Sequence, residues 1–424
     1  MTETISLQPG ITLRCFDDTR FKQNCISIQL IRPMCRQEAA MNALIPAVLL
    51  RGTISAPDLR SITLRLDDLY GAAVGPVVRR IGDYQTTGLS CGFISDSYAM
   101  DGDSVLEPML QFMEQLLLEP VTENGIFRAD YVRSEKKNLI ANIEAQKNDK
   151  RVYANGQLLK KMCRQDSFGI PRLGTVSQVR KITPQSAWEH YQKILRESRI
   201  DIFYVGHTDT AALASRLTAL FDKIDRCYVN LPGQTPLTGK PTGDHIEEMD
   251  VAQGKLAMGF TTPITIRDPE FAAMQVCNMI FGGGMTSLLF MNIREKLSLC
   301  YDIGSGYHGS KGLVTVSAGI DFDKYQLVRD QILEQLEVCK QGKFTAEELN
   351  AAKQGAISSL RGIHDSPGAI ENYYATAALS GLDRTPAQYI EAVQSVTAQQ
   401  VSAAASTLAL HTVYFLRGYG DENA

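Results

Sequence analysis

The chain has 424 residues, a length that suits two domains of about 200 residues better than a single core. Hydrophobic residues make up 44% and charged residues 21% of the chain, as in globular proteins. The net charge of −4 argues against a nucleic-acid-binding protein, which needs a basic face. Residues 1–10 lack the basic-then-apolar pattern of a signal peptide, and no apolar run approaches the roughly 20 residues that span a bilayer. We therefore expect a cytoplasmic protein that binds neither nucleic acid nor membrane.

In chain order, the first half predicts a strand at residues 25–32, which Pro33 ends, and then a helix at residues 38–50 followed by Gly52. The further elements of this half are helices at 62–69, 105–118 and 127–147, and a closing helix and strand at 186–195 and 201–205. Residues 75–95 are interpreted as a long loop.

The second half repeats this order. Pro263 ends a strand as Pro33 does, and both prolines lie 19 residues before a glycine, Gly282 or Gly52, so one offset of 230 relates the halves. The predicted elements are a strand at 255–260, helices at 269–280, 287–297, 323–339 and 346–362, and a closing helix and strand at 398–408 and 412–416. We predict an α+β fold with two homologous domains from internal duplication, each a mainly antiparallel sheet covered by helices on one side.

A segment rich in proline and glycine, residues 230–244, joins the two halves. Such a composition does not support a core. The predicted domains are therefore residues 1–229 and residues 245–424.

The cysteines and histidines do not form a metal motif. The nine cysteines include no C-x-x-C pair, which excludes zinc ribbons and redox motifs. None of the six histidines has another three or four residues away, as a zinc-binding helix face requires. His245 begins half of an inverted zinc motif, but Met249 occupies the place of the second histidine. We interpret that segment as a solvated charge cluster.

The glycine run Gly282, Gly283 and Gly284 has two compatible interpretations. It is not a phosphate loop, because it follows a helix and lacks both the glycine spacing and the following Lys-Ser/Thr. It could end the helix through glycines with positive φ. It could also let a peptide pass close to a backbone without side chains.

Arg294 and Tyr301 follow this run, on a predicted helix and at the start of an extended segment. Taken alone, they are ordinary surface residues. The glycine run, the Arg-Glu-Lys sequence and the seven residues from arginine to tyrosine resemble the Arg/Tyr motif of the inverzincin metallopeptidases. That family includes pitrilysin, the mitochondrial processing peptidase subunits and the core proteins of the bc1 complex. The resemblance covers nearly the whole chain, and residues 67–72 resemble a bacterial subgroup of inactive members usually found beside an intact zinc-binding homologue.

The resemblance also locates a degenerate zinc motif. Active members carry His-x-x-Glu-His nine residues before Gly-Thr, which is present here at Gly52. The two histidine positions hold Ala43 and Ala47, and the general-base position holds Pro46. Asn142 is aligned with the third ligand. The resemblance therefore implies no metal and no cofactor in this chain, and zinc in a partner subunit.

In the family, two such chains close as a clamshell dimer, and the zinc site of one faces the Arg/Tyr motif of the other. The resemblance thus implies that Arg294 holds a substrate carbonyl, that Tyr301 donates to an oxyanion, and that Gly282–Gly284 line the entry path. The expected function is that of a metal-free subunit in a heterodimeric peptidase that processes peptides or unfolded proteins. Two alternatives stay open: a structural scaffold without a catalytic role, and a homodimeric peptide-binding chaperone.

Overall fold

A computed structural model describes residues 2–419 of the chain. The strands are β1 (Thr2–Gln8), β2 (Ile11–Phe16), β3 (Gln23–Pro33), β4 (Ala73–Ile81), β5 (Tyr84–Ile94), β6 (Thr122–Glu123), β7 (Ile126–Phe127), β8 (Arg199–Val205), β9 (Gly243–Glu248), β10 (Gly254–Thr261), β11 (Cys300–His308), β12 (Leu313–Ile320) and β13 (Ala409–Arg417).

The α-helices are α1 (Ala39–Leu49), α2 (Leu59–Asp68), α3 (Leu106–Leu118), α4 (Ala129–Ala145), α5 (Lys150–Met162), α6 (Val176–Lys181), α7 (Pro184–Glu197), α8 (Thr210–Phe221), α9 (Phe271–Phe281), α10 (Tyr325–Lys340), α11 (Ala346–Arg361), α12 (Pro367–Ser380), α13 (Pro386–Ser395) and α14 (Ala398–Ser406). A π-helix, Leu289–Lys296, is called the arginine helix below. Within residues 2–419, no helix combines the length and the apolar character that a membrane span requires.

The two large sheets share one topology. The first has the strand order β1-β2-β8-β3-β5-β4, and the second has the order β11-β12-β10-β13-β9. Neighbouring strands are antiparallel except for one parallel pair in each sheet, β2 with β8 and β9 with β13. When β1 is set aside, the order β2-β8-β3-β5-β4 matches β9-β13-β10-β12-β11 strand by strand. The predicted α+β class and the duplication are thus confirmed.

Strand β3 shows how the first sheet separates its two faces. Alternate residues of a strand point to opposite faces, and Ile26, Ile28 and Leu30 lie in the hydrophobic core together with residues of α1 and α3. Ser27 and Gln29 lie on the opposite face, and both are fully buried. That second face therefore needs a polar cover.

The chain divides into two compact units that differ from the predicted domains. Unit 1 contains the chain up to Glu144, Ile170–Gly233 and His364–Leu379, and unit 2 contains Ala145–Gly169, Gln234–Ile363 and the chain from Ser380 on. Each unit therefore includes a segment from the other half. Helix α5 belongs to unit 2 because it packs on β10 and β13, and most of α12 belongs to unit 1 because Glu371 bonds to residues of the first sheet. The bounds 1–229 and 245–424 stay a prediction about the duplicated halves.

The prediction of a loop at residues 75–95 is wrong, since β4 and β5 form a hairpin there. Gly75 and Pro76 suggest a turn, but proline is tolerated on an edge strand, where no backbone donor is needed. Strand β4 is the edge strand of its sheet. The actual turn is at Gly82 and Asp83.

Candidate functional site

Tyr301 lies at a β-bulge near the start of β11, the outer strand of the second sheet. Its neighbours Cys300 and Asp302 pair with consecutive residues of β12, so Tyr301 is an extra residue in the register. A bulge points the extra side chain in a new direction and interrupts the regular pairing of the strands. The Tyr301 side chain is 61% exposed, so a second molecule can reach its hydroxyl.

Arg294 lies on the arginine helix, in which the amide of Leu297 donates to the carbonyl of Asn292, 3.0 Å away. Hydrogen bonds from residue i to residue i−5 are rare in proteins, and the π-helical turns that contain them are often found at functional sites. The guanidinium carbon lies 4.6 Å from the ring centroid of Phe290, and Nη1 lies 3.4 Å from Oε1 of Glu295. The Arg294 side chain is 39% exposed, so it keeps donors free for a ligand.

A tight turn after the arginine helix brings these two residues together. Ser298 has a φ of 52°, a left-handed conformation that is uncommon outside glycine. Its amide donates to the carbonyl of Arg294, and the amide of Leu299 donates to the carbonyl of Ile293, at 3.1 and 3.0 Å. These bonds end the helix and direct the chain into β11.

Arg294 and Tyr301 consequently line one cleft of about 410 Å³, the arginine–tyrosine cleft. Its other lining residues are Glu295, Ser298, Leu299, Cys300, Asp321 and Lys324. The two residues singled out by the sequence are close enough to act on one ligand. The roles assigned to them stay predictions.

The Tyr301 hydroxyl donates a hydrogen bond to Oδ1 of Asp321 at 3.1 Å. Nζ of Lys324 donates to the other oxygen of the same carboxylate at 2.6 Å. The bond to Asp321 and the negative charge of that carboxylate raise the pKa of Tyr301. The bonds from Lys324 and Tyr301 lower the pKa of Asp321. Tyr301 is therefore a neutral phenol whose proton points at a carboxylate.

Positive φ does not explain the glycine run, so that part of the helix-stop interpretation is wrong. Gly282, Gly283 and Gly284 are all absent from the left-handed region, and Gly282 has a φ of −156°. At Gly282 and Gly283, glycine is needed because there is no space for a side chain. A Cβ on Gly282 would lie 2.7 Å from Oγ of Ser305, and one on Gly283 would lie 2.9 Å from the backbone Cα of Met279. On Gly284, the nearest atom would be 3.7 Å away, an ordinary contact.

The glycine run lines a second cleft of about 600 Å³, the glycine cleft. Its other lining residues are Arg151, Val152, Asn155, Met285, Phe290, Asp302, Ile303, Gly304, Ser305, Gly306, Thr315 and Ser317. The amide of Ser305 donates to the carbonyl of Gly282 at 2.8 Å, which attaches the run to the outer edge of β11. Phe290, which lines this cleft, also stacks under Arg294 of the other one. The two clefts are thus neighbours along one strand.

Replacing Gly283 with alanine should lower the free energy of unfolding of unit 2 by about 1–3 kcal/mol, because its Cβ would overlap a backbone atom that cannot rotate away. Gly284→Ala is the matched control and should change that free energy by less than about 0.5 kcal/mol. Urea denaturation followed by circular dichroism measures both. Equal effects of the two substitutions would contradict the spatial explanation.

The positions assigned to the degenerate zinc motif lie on two helices of unit 1. Ala43, Pro46 and Ala47 are on α1, and Asn142 is an exposed residue of α4. A methyl group and a pyrrolidine ring offer no donor atom to a metal. Within residues 2–419, no three or more His, Cys, Asp or Glu side chains are grouped so that they could hold one. The residues present do not fit the zinc that the family implies, and the assignment of these positions to the motif stays a prediction.

Glu135, the buried acidic residue near these positions, is paired with the positively charged side chain of Arg51. Glu135, seven residues before Asn142 on α4, is buried, and its Oε1 lies 3.3 Å from Nη1 of Arg51. Asn138 donates to the other carboxylate oxygen at 3.1 Å, and Arg51 lies over the ring of Tyr131 at 5.2 Å. The carboxylate is therefore neutralised by a guanidinium from the chain itself.

No sequence pattern indicated that Asp321 and Lys324 line the arginine–tyrosine cleft, or that Arg151 and Asn155 of α5 line the glycine cleft. Asp321 comes directly after β12, and no motif marks it. It reaches Tyr301 only because Cys300 and Ile320 are paired in the β11–β12 register. Since that register depends on where the bulge falls, residue spacing alone gives no signal for the contact.

The comparison with known proteins gives one family. The model of the peptidase M16 inactive domain matches residues 181–356. Over 418 residues the chain is 28% identical to a protein of Bacillus subtilis (strain 168) described as probable inactive metalloprotease YmfF. That match covers 99% of this chain and 98% of the relative.

Solved structures agree over the full length. The crystal structure of a conserved protein from Enterococcus faecalis has a TM-score of 0.93 and 26% sequence identity, with 100% of both chains covered. The peptidase M16 inactive domain from Pseudomonas fluorescens, at 18% identity, has a TM-score of 0.81 and also covers 100% of both chains. At that identity the second match shows the fold alone.

Proposed function

This chain is an M16-family protease-like protein with a relative described as inactive, and from that premise we propose that it is the metal-free subunit of a two-chain zinc peptidase. Its partner would be a homologous subunit with an intact His-x-x-Glu-His motif, which supplies the zinc. The substrates would be peptides or small unfolded proteins, and the complex would work in the cytoplasm. The pair would form the clamshell that the sequence resemblance implies.

One observation carries the proposal: Arg294 and Tyr301 line the same cleft with exposed side chains. A π-helix, a left-handed Ser298 and a bulge at Tyr301 together produce this arrangement. Such irregular features cost stability, and they cluster where function needs them. A fold used only as a scaffold has no need for this combination.

In the mixed complex, the metal and the attacking water would belong to the partner. Arg294 would hold a backbone carbonyl of the substrate by charge-assisted hydrogen bonds, which are stronger than neutral ones. Tyr301 would donate its hydroxyl to the oxyanion that forms during attack. Gly284, which has room around it, would border the path of the peptide, while Gly282 and Gly283 keep the run packed.

A scaffold or peptide-binding protein of the same fold is the second candidate. It is supported by the lack of side-chain donor atoms at residues 43, 46 and 47, the positions that the resemblance assigns to the zinc motif. With that assignment, this chain alone would not hydrolyse peptides by the family mechanism. This candidate leaves the exposed positions of Arg294 and Tyr301 without a function.

Purification of the tagged chain at its natural expression level separates the two candidates. We expect a homologous subunit with His-x-x-Glu-His to copurify, zinc to be present at one ion per pair, and cleavage of an unstructured peptide to stop when a chelator is added. The chain purified alone should lack zinc and activity. Chelator-sensitive cleavage by the solitary chain with stoichiometric zinc would contradict the proposal, and a zinc-bearing pair without peptidase activity would favour the scaffold.

A further inference from the structure

The phenol of Tyr301 has a single proton to donate. In the structure this proton is used, because the hydroxyl donates to Oδ1 of Asp321 at 3.1 Å. A carboxylate accepts hydrogen bonds and cannot return one. As long as this bond exists, Tyr301 cannot donate to an oxyanion.

Asp321 is itself held in place. It directly precedes a short 3-10 helix, Phe322–Lys324, and the backbone amide of Lys324 donates to its carbonyl at 3.2 Å. The ammonium of Lys324 also binds its side chain, at 2.6 Å from Oδ2. One carboxylate oxygen thus faces a cation and the other faces the phenol. The other ionisable side chains that line this cleft are Arg294, Glu295 and Cys300.

We propose that Asp321, braced by Lys324, is the positioning residue of Tyr301 and holds its hydroxyl in a resting state that an incoming oxyanion must displace. The inference rests on the proposed function and adds a control step to it. The competition is between two anions for one proton donor. Tyr301 is 61% exposed and the Asp321 side chain is 42% exposed, so water reaches both groups and lowers the cost of exchanging one acceptor for the other.

Replacing Asp321 with asparagine tests this directly. The amide keeps the shape but removes the charge, so its oxygen is a weaker acceptor for the phenol. The pKa of Tyr301 should fall back towards its usual value, since the carboxylate is what raises it. Turnover by the mixed complex should rise about 3- to 10-fold, the range for weakening one exposed hydrogen bond in the resting state.

Lys324→Met is the control, and it should change both the pKa of Tyr301 and the turnover in the direction opposite to Asp321→Asn. The ammonium of Lys324 lowers the pKa of Tyr301 and partly neutralises Asp321. Without it, the carboxylate should hold the phenol more tightly, so the pKa of Tyr301 should rise further and turnover should fall. A general disturbance of the cleft would move both variants in the same direction.

The titration needs only the isolated full-length chain. Incorporation of 3-fluorotyrosine and ¹⁹F NMR between pH 6 and 11 follow the phenols, and the Tyr301→Phe variant assigns the Tyr301 signal. An unchanged pKa in Asp321→Asn would overturn the inference. So would a lowered pKa combined with unchanged or lower turnover, because Asp321 would then not restrain Tyr301. If no complex with a zinc-bearing subunit exists, the proposed function fails, and the titration still decides whether Asp321 holds the proton.

Discussion

Replacing Tyr301 with phenylalanine is expected to lower the turnover number of the mixed complex about 100-fold, because one preorganised donor to an oxyanion contributes a factor of this size. The Michaelis constant should change little, since the bond is made in the transition state and not with the bound substrate. The free energy of unfolding and the assembly of the pair should also stay unchanged, because the side chain is 61% exposed. Steady-state kinetics on an unstructured peptide measures both constants.

Tyr70 provides the matched control. It precedes β4 as Tyr301 begins β11, and its hydroxyl also donates to a carboxylate, that of Asp103 at 2.6 Å. Tyr70→Phe removes the same group from the other half of the duplication and should leave turnover within about 2-fold. Equal turnover in the Tyr301 variant and the wild type would remove Tyr301 from the mechanism.

The second large effect concerns the stability of unit 1. Glu371 of α12 is 2% exposed and accepts hydrogen bonds from Ser27 at 2.8 Å, from both terminal nitrogens of Arg79 at 3.1 and 2.9 Å, and from Gln29. It provides the polar cover that the second face of the first sheet requires. Removing it leaves buried donors without an acceptor, which is strongly destabilising.

Glu371→Ala should lower the free energy of unfolding of unit 1 by about 3 kcal/mol, the low end of the range for a broken buried pair, because water can reach Arg79. The single tryptophan, Trp188, packs on Phe127 in this unit, so its fluorescence during urea denaturation reports unit 1. Glu391 is an exposed residue of α13, and Glu391→Ala should alter the free energy of unfolding of unit 1 by less than about 0.5 kcal/mol. A loss below 1 kcal/mol in the Glu371 variant would contradict the role of this residue as the polar cover.

The duplication was predictable because its signals are local. Pro33 and Pro263 lie at or just after the ends of corresponding strands, and Gly52 and Gly282 follow 19 residues later, after the ends of the next helices. The exchange of α5 and α12 between the units was not predictable. Helix α5 is an ordinary amphipathic helix, and α12 has hardly any apolar face. Which sheet each helix covers depends on residues far away in the chain, such as Ser27 and Gln29 for Glu371.

Residue spacing singled out Arg294 and Tyr301 but not Asp321, which contacts Tyr301. The spacing of a motif is preserved in the sequence, whereas Asp321 meets Tyr301 through strand pairing and a bulge. The glycine run shows a similar limit. The sequence suggested that these glycines have positive φ, which is a property of each residue by itself. In the structure, glycine is needed because the neighbours Ser305 and Met279 leave no room for a Cβ on Gly282 and Gly283.

The reciprocal exchange of segments has a consequence for biosynthesis. Domains generally fold in order as they emerge during translation, but unit 1 includes His364–Leu379 from the second half of the chain. Ser27 and Gln29 of its sheet therefore stay without their cover until nearly the whole polypeptide has left the ribosome. The apolar core cluster of unit 1 lies within residues 11–221, but the polar cover of its sheet comes from the second half, so the first repeat depends on the second for its final folded state.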